Sequence, residues 1–518
     1  MKTWRGRVVW LGLCLGAVGC GSSQPPAEEP ESCETTNSCD DSRVGNPNPG
    51  TPDTPPDDTT PPPTGNPNPP TNGNPNPPPT PPPAVQTGET LWQQHSRGEL
   101  HEYASSVATT TDGQYIYTAT SRGSQSPRGD SAEGSRAEFK VRRYSAAGQV
   151  QWEETYPLYA NERVPPEDVW GRIRLSVGPT GDLYVLTEVH EGVVAVTQGP
   201  FGGLVLTKIS ASREPKWSAR LPDTDTFLAM TASRDDGVFV SVMTKYPYSE
   251  QLRCAPAQGA IWRFGADGQR MWRAPLGEPQ CEGARAEAKS LAAQPGGGVA
   301  LGGTFFGTLE VGAERFTTQR FSPFLGVISP AGTWSWVKAM PDVWGEITSV
   351  GSSAKGTVVA AGTAQEGALR WGNDTLGKVP SFLLVAEATG EPRWAKSMGR
   401  SEEPVVAVEP AGRVAVAGLS RDYPTAGPGS SDPTNNPQLF IRRYNLAGKA
   451  LWNRYFSRSA GPSNLFSEQF MCAVPSGEGN GSTLLFGHFS HPENFGKGTV
   501  TPNLTDTILL KVGPGPEF

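Results

Sequence analysis

The 518-residue chain has only seven cysteines and five histidines, and no two cysteines form a CxxC pair. A zinc centre of the four-cysteine kind is therefore excluded. There is no GxSxG elbow, no HExxH helix and no phosphate-cradling glycine loop, so the common nucleophile, metalloprotease and nucleotide sites have no sequence support. Basic residues number 44 against 52 acidic ones, for a formal net charge of −8, and no basic block stands out. That argues against a nucleic-acid partner. Helical periodicity is missing throughout. Beyond Val18 no apolar run approaches the ~20 residues a membrane-spanning helix needs.

Proline and glycine are plentiful, 51 and 61 residues, and the prolines crowd into the first 85 positions. Ahead of them, Lys2, Arg5 and Arg7 precede the apolar run "VVWLGLCLGAV", which reads as an export signal over residues 1–19. Residues 20–86 cannot build a core. "GNPNP" occurs at 45–49, 65–69 and 73–77 among runs such as "PPPT". Proline favours polyproline II, at ~3.1 Å per residue, so this linker has a reach on the order of 100–200 Å. A semi-rigid stalk and a disordered tether both fit.

From residue 87 to 518 the chain is periodic. Trp92, Trp152, Trp217, Trp272, Trp336, Trp394 and Trp452 recur 55 to 65 residues apart. Gly88, Gly148, Gly268, Gly332, Gly390 and Gly448 stand four positions before six of them, and Arg213 takes that place before Trp217. Each interval holds a small-residue strand, a tight turn, an alternating strand such as "YIYTAT", a variable loop, a third strand such as "FKVRRYS", and the Trp strand. Four short strands per unit make one antiparallel blade. First-strand motifs recur near Val107, Leu175, Met230, Leu291, Val350, Val406 and Cys472, giving seven units. The seventh ends without a Trp strand, while the strand around Trp92 precedes the first complete unit. The expected fold is all-β: a seven-bladed β-propeller closed by the Trp92 strand. The tryptophans are expected to pack between blades, with the glycines supplying the hairpin turn.

Two resemblances add to this reading. "LGAVGC", ending at Cys20, resembles the bacterial lipobox, although Ala17 stands where that family prefers Leu. The resemblance implies a diacylglycerol on Cys20. With Gly21 rather than Asp next, it also implies an outer-membrane lipoprotein facing the periplasm or the cell surface. A plain secreted protein is the alternative. "PTGDLYVLTEV…LVLTKISASREPKW", at 179–217, resembles the seven-bladed propeller repeats of bacterial secreted proteins and, in style, the tryptophan-docking repeats of quinoprotein propellers.

Strand order puts turns one-to-two and three-to-four on one face, and loops two-to-three and the blade crossovers on the other. The long insertions 121–137, 245–259, 421–437 and 458–469 all fall on that second face, which is the expected interaction surface. Cys254 and Cys281 are expected near each other there, which makes a disulfide reasonable in an oxidising compartment. Cys33 and Cys39 could close a small loop at the base of the linker. Cys472 reads as a buried small residue. His488 and His491 read as a solvated pair at a strand end, so no metal, cofactor or catalytic residue is assigned. The expectation is a monomeric, non-enzymatic binding or scaffold module, held to the membrane by its lipid and meeting an unknown protein or surface polymer. The alternative is a periplasmic quinoprotein-like enzyme with a cofactor in the central funnel.

Overall fold

Short alternating segments separated by Gly, Asp and Asn turns fold as strands throughout. The computed structural model describes residues 88–123, 137–157, 173–189, 203–222, 226–246, 249, 256–281, 285–420, 438–456, 470–475 and 481–515. No helix occurs among them. The strand β1 (Thr90–His95) comes first. Blade 1 follows as β2 (His101–Thr109), β3 (Tyr115–Gly123), β4 (Ala137–Ser145) and β5 (Val150–Pro157). Blade 2 is β6 (Ile173–Val177), β7 (Leu183–Val189), β8 (Gly203–Ile209) and β9 (Pro215–Leu221). Blade 3 is β10 (Thr226–Ala232), β11 (Val238–Lys245), β12 (Ala257–Phe264) and β13 (Arg270–Pro275). Blade 4 is β14 (Arg285–Ala293), β15 (Val299–Val311), β16 (Glu314–Ile328) and β17 (Trp334–Ala339).

Blade 5 contains β18 (Trp344–Ser352), β19 (Val358–Glu366), β22 (Ser381–Ala386) and β23 (Pro392–Gly399), with the small hairpin β20 (Leu369–Trp371) and β21 (Asp374–Leu376) inserted. Blade 6 is β24 (Ser401–Val408), β25 (Val414–Ser420), β26 (Gln438–Tyr444) and β27 (Ala450–Tyr455). In blade 7, β28 (Phe470–Pro475) pairs β29 (Thr483–Phe489). The strand β29 then pairs β32 (Asp506–Val512), past a hairpin of β30 (Glu493–Asn494) and β31 (Thr499–Val500).

The fourth strand of blade 7 is β1. It pairs antiparallel with β32, Trp92 opposite Lys511 and His95 opposite Ile508. The first strands touch in sequence round the ring, from β2 through β6, β10, β14, β18, β24 and β28, and β28 returns to β2. The molecule is a closed seven-bladed propeller. Closure covers the third-strand edge of β32 that would otherwise lie open. Because β1 is antiparallel to β32, it starts on the face of the short turns, so the chain joins the ring at Gly88 on the face opposite the long loops.

Apolar packing lies between blades. Seven buried clusters occur, one at each junction of consecutive blades. Each fully buried aliphatic or aromatic side chain there contributes about 1.5–3 kcal/mol.

The repeated tryptophans tie these junctions from the outside. The indole Nε1 of Trp92 donates to the Ala146 carbonyl at 3.2 Å, that of Trp217 to Ala266 at 2.8 Å, and that of Trp272 to Pro330 at 2.8 Å. Trp336 donates to Ala388 at 3.0 Å and Trp394 to Leu446 at 2.8 Å. Each acceptor lies in the third-to-fourth turn of the next blade, two residues before that turn's glycine. The glycines at 148, 268, 332, 390 and 448 have φ between +81° and +89°. A Cβ on Gly390 would lie 2.6 Å from the Trp336 ring. Glycine therefore serves twice, in the left-handed turn and beneath the neighbouring indole. Blade 7 has no such turn, so Trp452 donates instead to the carbonyl of Pro514, with Gly515 beneath its ring.

Gly88 departs from the expected role. It has no left-handed φ and belongs to no hairpin, and it lies against the Trp452 ring. The other departure is Arg213, which holds φ +73° in the blade 2 turn. A Cβ at this position crowds the preceding indole, and Trp152 Nε1 is the one repeat indole nitrogen left buried with no hydrogen-bond partner among the described residues. The Ala211 carbonyl, its expected acceptor, takes Arg143 Nη1 at 3.0 Å.

A cross-strand row of basic residues stands behind the tryptophans. Trp152, Trp217, Trp272, Trp452 and Trp92 sit opposite Arg143, Lys208, Arg263, Arg443 and Lys511 of the third strands. Lys208, Arg263 and Arg443 are buried and pair with carboxylates of first-to-second turns: Asp236 at 2.6 Å, Asp235 and Glu409 respectively. Lys208 and Arg263 also lie over Tyr184 and Phe239. A buried cation left without its partner would cost several kcal/mol, so these turns are fixed by ion pairs, and in the blade 3 turn Asp236 itself takes the left-handed position at φ +63°.

Candidate functional site

The first strands form the wall of the central channel. Their inner edges have no sheet neighbour, which leaves a row of backbone N–H and C=O groups to satisfy. Serines of the preceding blade cap part of that row. Ser106 Oγ accepts from the Leu175 N–H at 2.9 Å, Ser290 from Val350 at 2.9 Å and Ser349 from Val406 at 3.0 Å. At the junction of blades 2 and 3 the same stitch moves two residues along, from Ser176 to Ala232 at 2.7 Å. The small polar residues read in the first-strand motif are therefore inter-blade fasteners.

Six of the seven first strands carry a register shift at the corresponding point. The shifts skip Ser105, Leu228, Lys289, Thr348 and Met471, and in blade 6 both Glu403 and Pro404. A bulge bends its strand and re-aims the extra side chain. Ser105, Leu228, Lys289, Thr348 and Glu403 accordingly line a channel cavity of about 490 Å³, together with Arg174 and Glu346. Ser105, Lys289 and Thr348 stand at the middle of their strands, and Leu228 and Glu403 nearer the long-loop end.

The channel wall is charged on both sides of the ring. Lys289 Nζ pairs with Glu346 at 2.5 Å, across the junction of blades 4 and 5. Arg174 Nη1 donates to the Ser105 carbonyl at 3.2 Å and its guanidinium lies over Phe227. Glu403 is exposed and has φ +43°, a conformation costly for any residue with a Cβ. Partial burial, then the charges of Glu346 and Glu402, push its carboxyl above the ordinary range, with Lys289 opposing. This arrangement offers hydrogen-bonding groups and charge of both signs. Among the described residues it brings no three His, Cys, Asp or Glu side chains into metal-binding proximity.

On the long-loop face, blade 4 adds a two-stranded extension, Gly307–Thr318 at its base and Val311–Glu314 at its tip, where β15 and β16 outrun their neighbours. Gln280 caps one edge of it, accepting from the Thr308 N–H at 2.9 Å and donating to the Thr308 carbonyl at 2.5 Å. Phe321 and Trp344, at the foot of this extension, are among the exposed large apolar side chains. Arg320, beside Phe321, pairs with Glu366 at 2.7 Å.

Cys281 lies in the crossover leaving blade 3 and is disulfide-bonded. Cys20, Cys33, Cys39, Cys254 and most of the long insertions lie outside the described residues. Cys472 opposes Phe486 on the innermost strand of blade 7. The expectation for His488 is corrected. It is 5% exposed, on β29, and not solvated. Burial pulls its imidazole down to about 4. The sequence showed only its position at a strand end; β2 of blade 1 covers it in the fold.

No family model matches the chain, and no curated protein matches it either. Solved structures similar to it include the RRP9 WD40 repeats, at 11% identity and TM-score 0.43, with 82% of this chain and 99% of that one covered. The Dos1 propeller is similar at 10% identity and TM-score 0.40, covering 84% and 96%. The Neurospora crassa Pan2 WD40 domain is similar at 10% identity and TM-score 0.39, covering 83% and 97%.

Proposed function

We propose that the protein is a lipid-anchored, non-enzymatic binding or scaffold module of the bacterial cell envelope, working through its long-loop face and the adjoining channel mouth. The observation that carries this is the blade 4 extension on the long-loop face, with Phe321 and Trp344 exposed at its foot. The lipobox-like "LGAVGC" supports acylation at Cys20, and several acyl chains on one cysteine would hold the protein stably. The insertions on the long-loop face, the blade 4 extension and the exposed rings of Phe321 and Trp344 supply contact area for a protein or surface polymer. Channel residues that differ from blade to blade make the mouth asymmetric, as recognition of one orientation requires.

Photo-crosslinking in intact cells tests the proposal. A photoreactive residue at Trp344 should capture a discrete partner, whereas one at Met271, exposed on the opposite half of the outer wall, should not. Equal capture at both positions would contradict the face assignment. Labelled palmitate should be incorporated by the native chain and lost in Cys20→Ser.

A further inference from the structure

Four of the five histidines stand at or near the ends of the strands around the closure of the ring, and the fifth, His190, lies outside the described residues. His95 ends β1, His101 begins β2, His488 is near the end of β29, and His491 follows it. The seam differs from every other junction in its connectivity. Blades 1 to 6 are each made of consecutive strands, while blade 7 is completed by β1, which is joined to it only through non-covalent contacts.

We propose that this seam is an acid-opened latch, in which protonation of the buried imidazoles between β29, β2 and β32 loosens blade 1 from blade 7.

The geometry is as follows. The His488 ring meets the Tyr103 ring edge-on at 5.4 Å between centroids, and Tyr103 stacks on His101 at 6.2 Å. His101 Nδ1 is 3.1 Å from the Thr505 hydroxyl. The Glu102 N–H donates to the Thr505 carbonyl at 2.7 Å, and Ser96 and Thr507 exchange bonds between β1 and β32. His95 Nε2 lies 2.9 Å from Asp506 Oδ2, and that carboxylate also accepts from the Asn503 N–H at 3.0 Å.

Groups facing His488 come from each packed element whose side chains are described. They are Tyr103 of β2, with His101 stacked on it, and Thr507 opposite His488 on β32, whereas Asp506 and His95 lie with Phe489 on the other face of blade 7, toward blade 6. The acid nearest along β2, buried Glu102, is already engaged by Arg122 at 2.9 Å and faces Lys140 at 3.8 Å. Burial holds both His101 and His488 below the ordinary imidazole value, His101 against the pull of Asp506. The folded seam thus binds protons less readily than the open one. Its stability is complete above the open-state value near 6.5 and is lost as pH falls toward about 4.

The test is hydrogen exchange of the full chain, corrected for intrinsic rates, comparing peptides of β2 and β32 with β15 of blade 4. For His488 alone, the seam opening constant should rise roughly 30-fold between pH 7.5 and pH 5. β15 should not follow, and His488→Gln should flatten the rise. A seam that tracks β15 at every pH, or an unchanged rise in the variant, overturns the proposal. Should His488→Gln fail to fold, the imidazole resonances of the wild type decide. His488 remaining neutral at pH 5.5 supports the latch, and His488 titrating near 6.5 overturns it.

Discussion

Arg213→Gly should stabilise the protein, although it deletes a long side chain and makes no new apolar contact. Arg213 is exposed and held at φ +73° in a turn whose equivalents are glycine in five other blades. Relieving the left-handed strain is worth about 1–2 kcal/mol. The greater freedom of glycine in the unfolded chain takes back about 0.5–1 kcal/mol. Removing the Cβ also lets Trp152 settle on the turn, as its equivalents do, and donate to the second lone pair of the Ala211 carbonyl, for about 1 kcal/mol more. The net expectation is about 1–2 kcal/mol of added stability. Urea unfolding should show a higher midpoint at unchanged slope, as a stability change without a change in exposed surface requires. The indole N–H of Trp152 should also become protected from exchange. A midpoint that stays or falls, or an indole that exchanges as before, would refute the reasoning that glycine is selected here to seat the preceding tryptophan.

Three further outcomes follow from the same contacts. Gly390→Ala forces a Cβ into a left-handed turn 2.6 Å from the Trp336 ring, and should cost about 2–3 kcal/mol by urea unfolding. Ser349→Ala removes the hydroxyl that caps the Val406 N–H and should cost about 1 kcal/mol, with faster exchange of the Val406 amide as the specific readout. Cys281→Ser should lower stability by about 2–4 kcal/mol under oxidising conditions and have no effect under reducing ones. Peptide mapping of the native chain is expected to recover Cys281 linked to Cys254.

The ring and its closure were legible in the sequence because both follow from a count. Seven first-strand motifs and seven Trp strands balance only if Trp92 completes the last blade, and that pairing is seen between β1 and β32. The recurrent Gly and Trp were legible because one steric requirement, an indole seated on a turn, repeats at each junction. The channel was not legible. Its bulge position is occupied by Ser105, Leu228, Lys289, Thr348 and Met471, and what recurs there is a backbone register shift that no residue type marks. The buried basic row was written in the strands "FKVRRYS" and "LFIRRYN", yet its partners lie in first-to-second turns, and sequence spacing does not reveal which turn a third-strand Arg reaches. His488 was misread for a related reason: the strand that buries it, β2, is nearly four hundred residues away in the chain.

The account depends most on β1 being the outer strand of blade 7, since the closure of the ring rests on it. Hydrogen exchange of β32 in the full chain and in a chain beginning at Leu100 tests this directly. Loss of β1 should remove protection from the β32 amides of Leu509 and Lys511, opposite Gln94 and Trp92, while β11 and β12 of blade 3 keep theirs. Undiminished protection of β32 without β1 would contradict the closure.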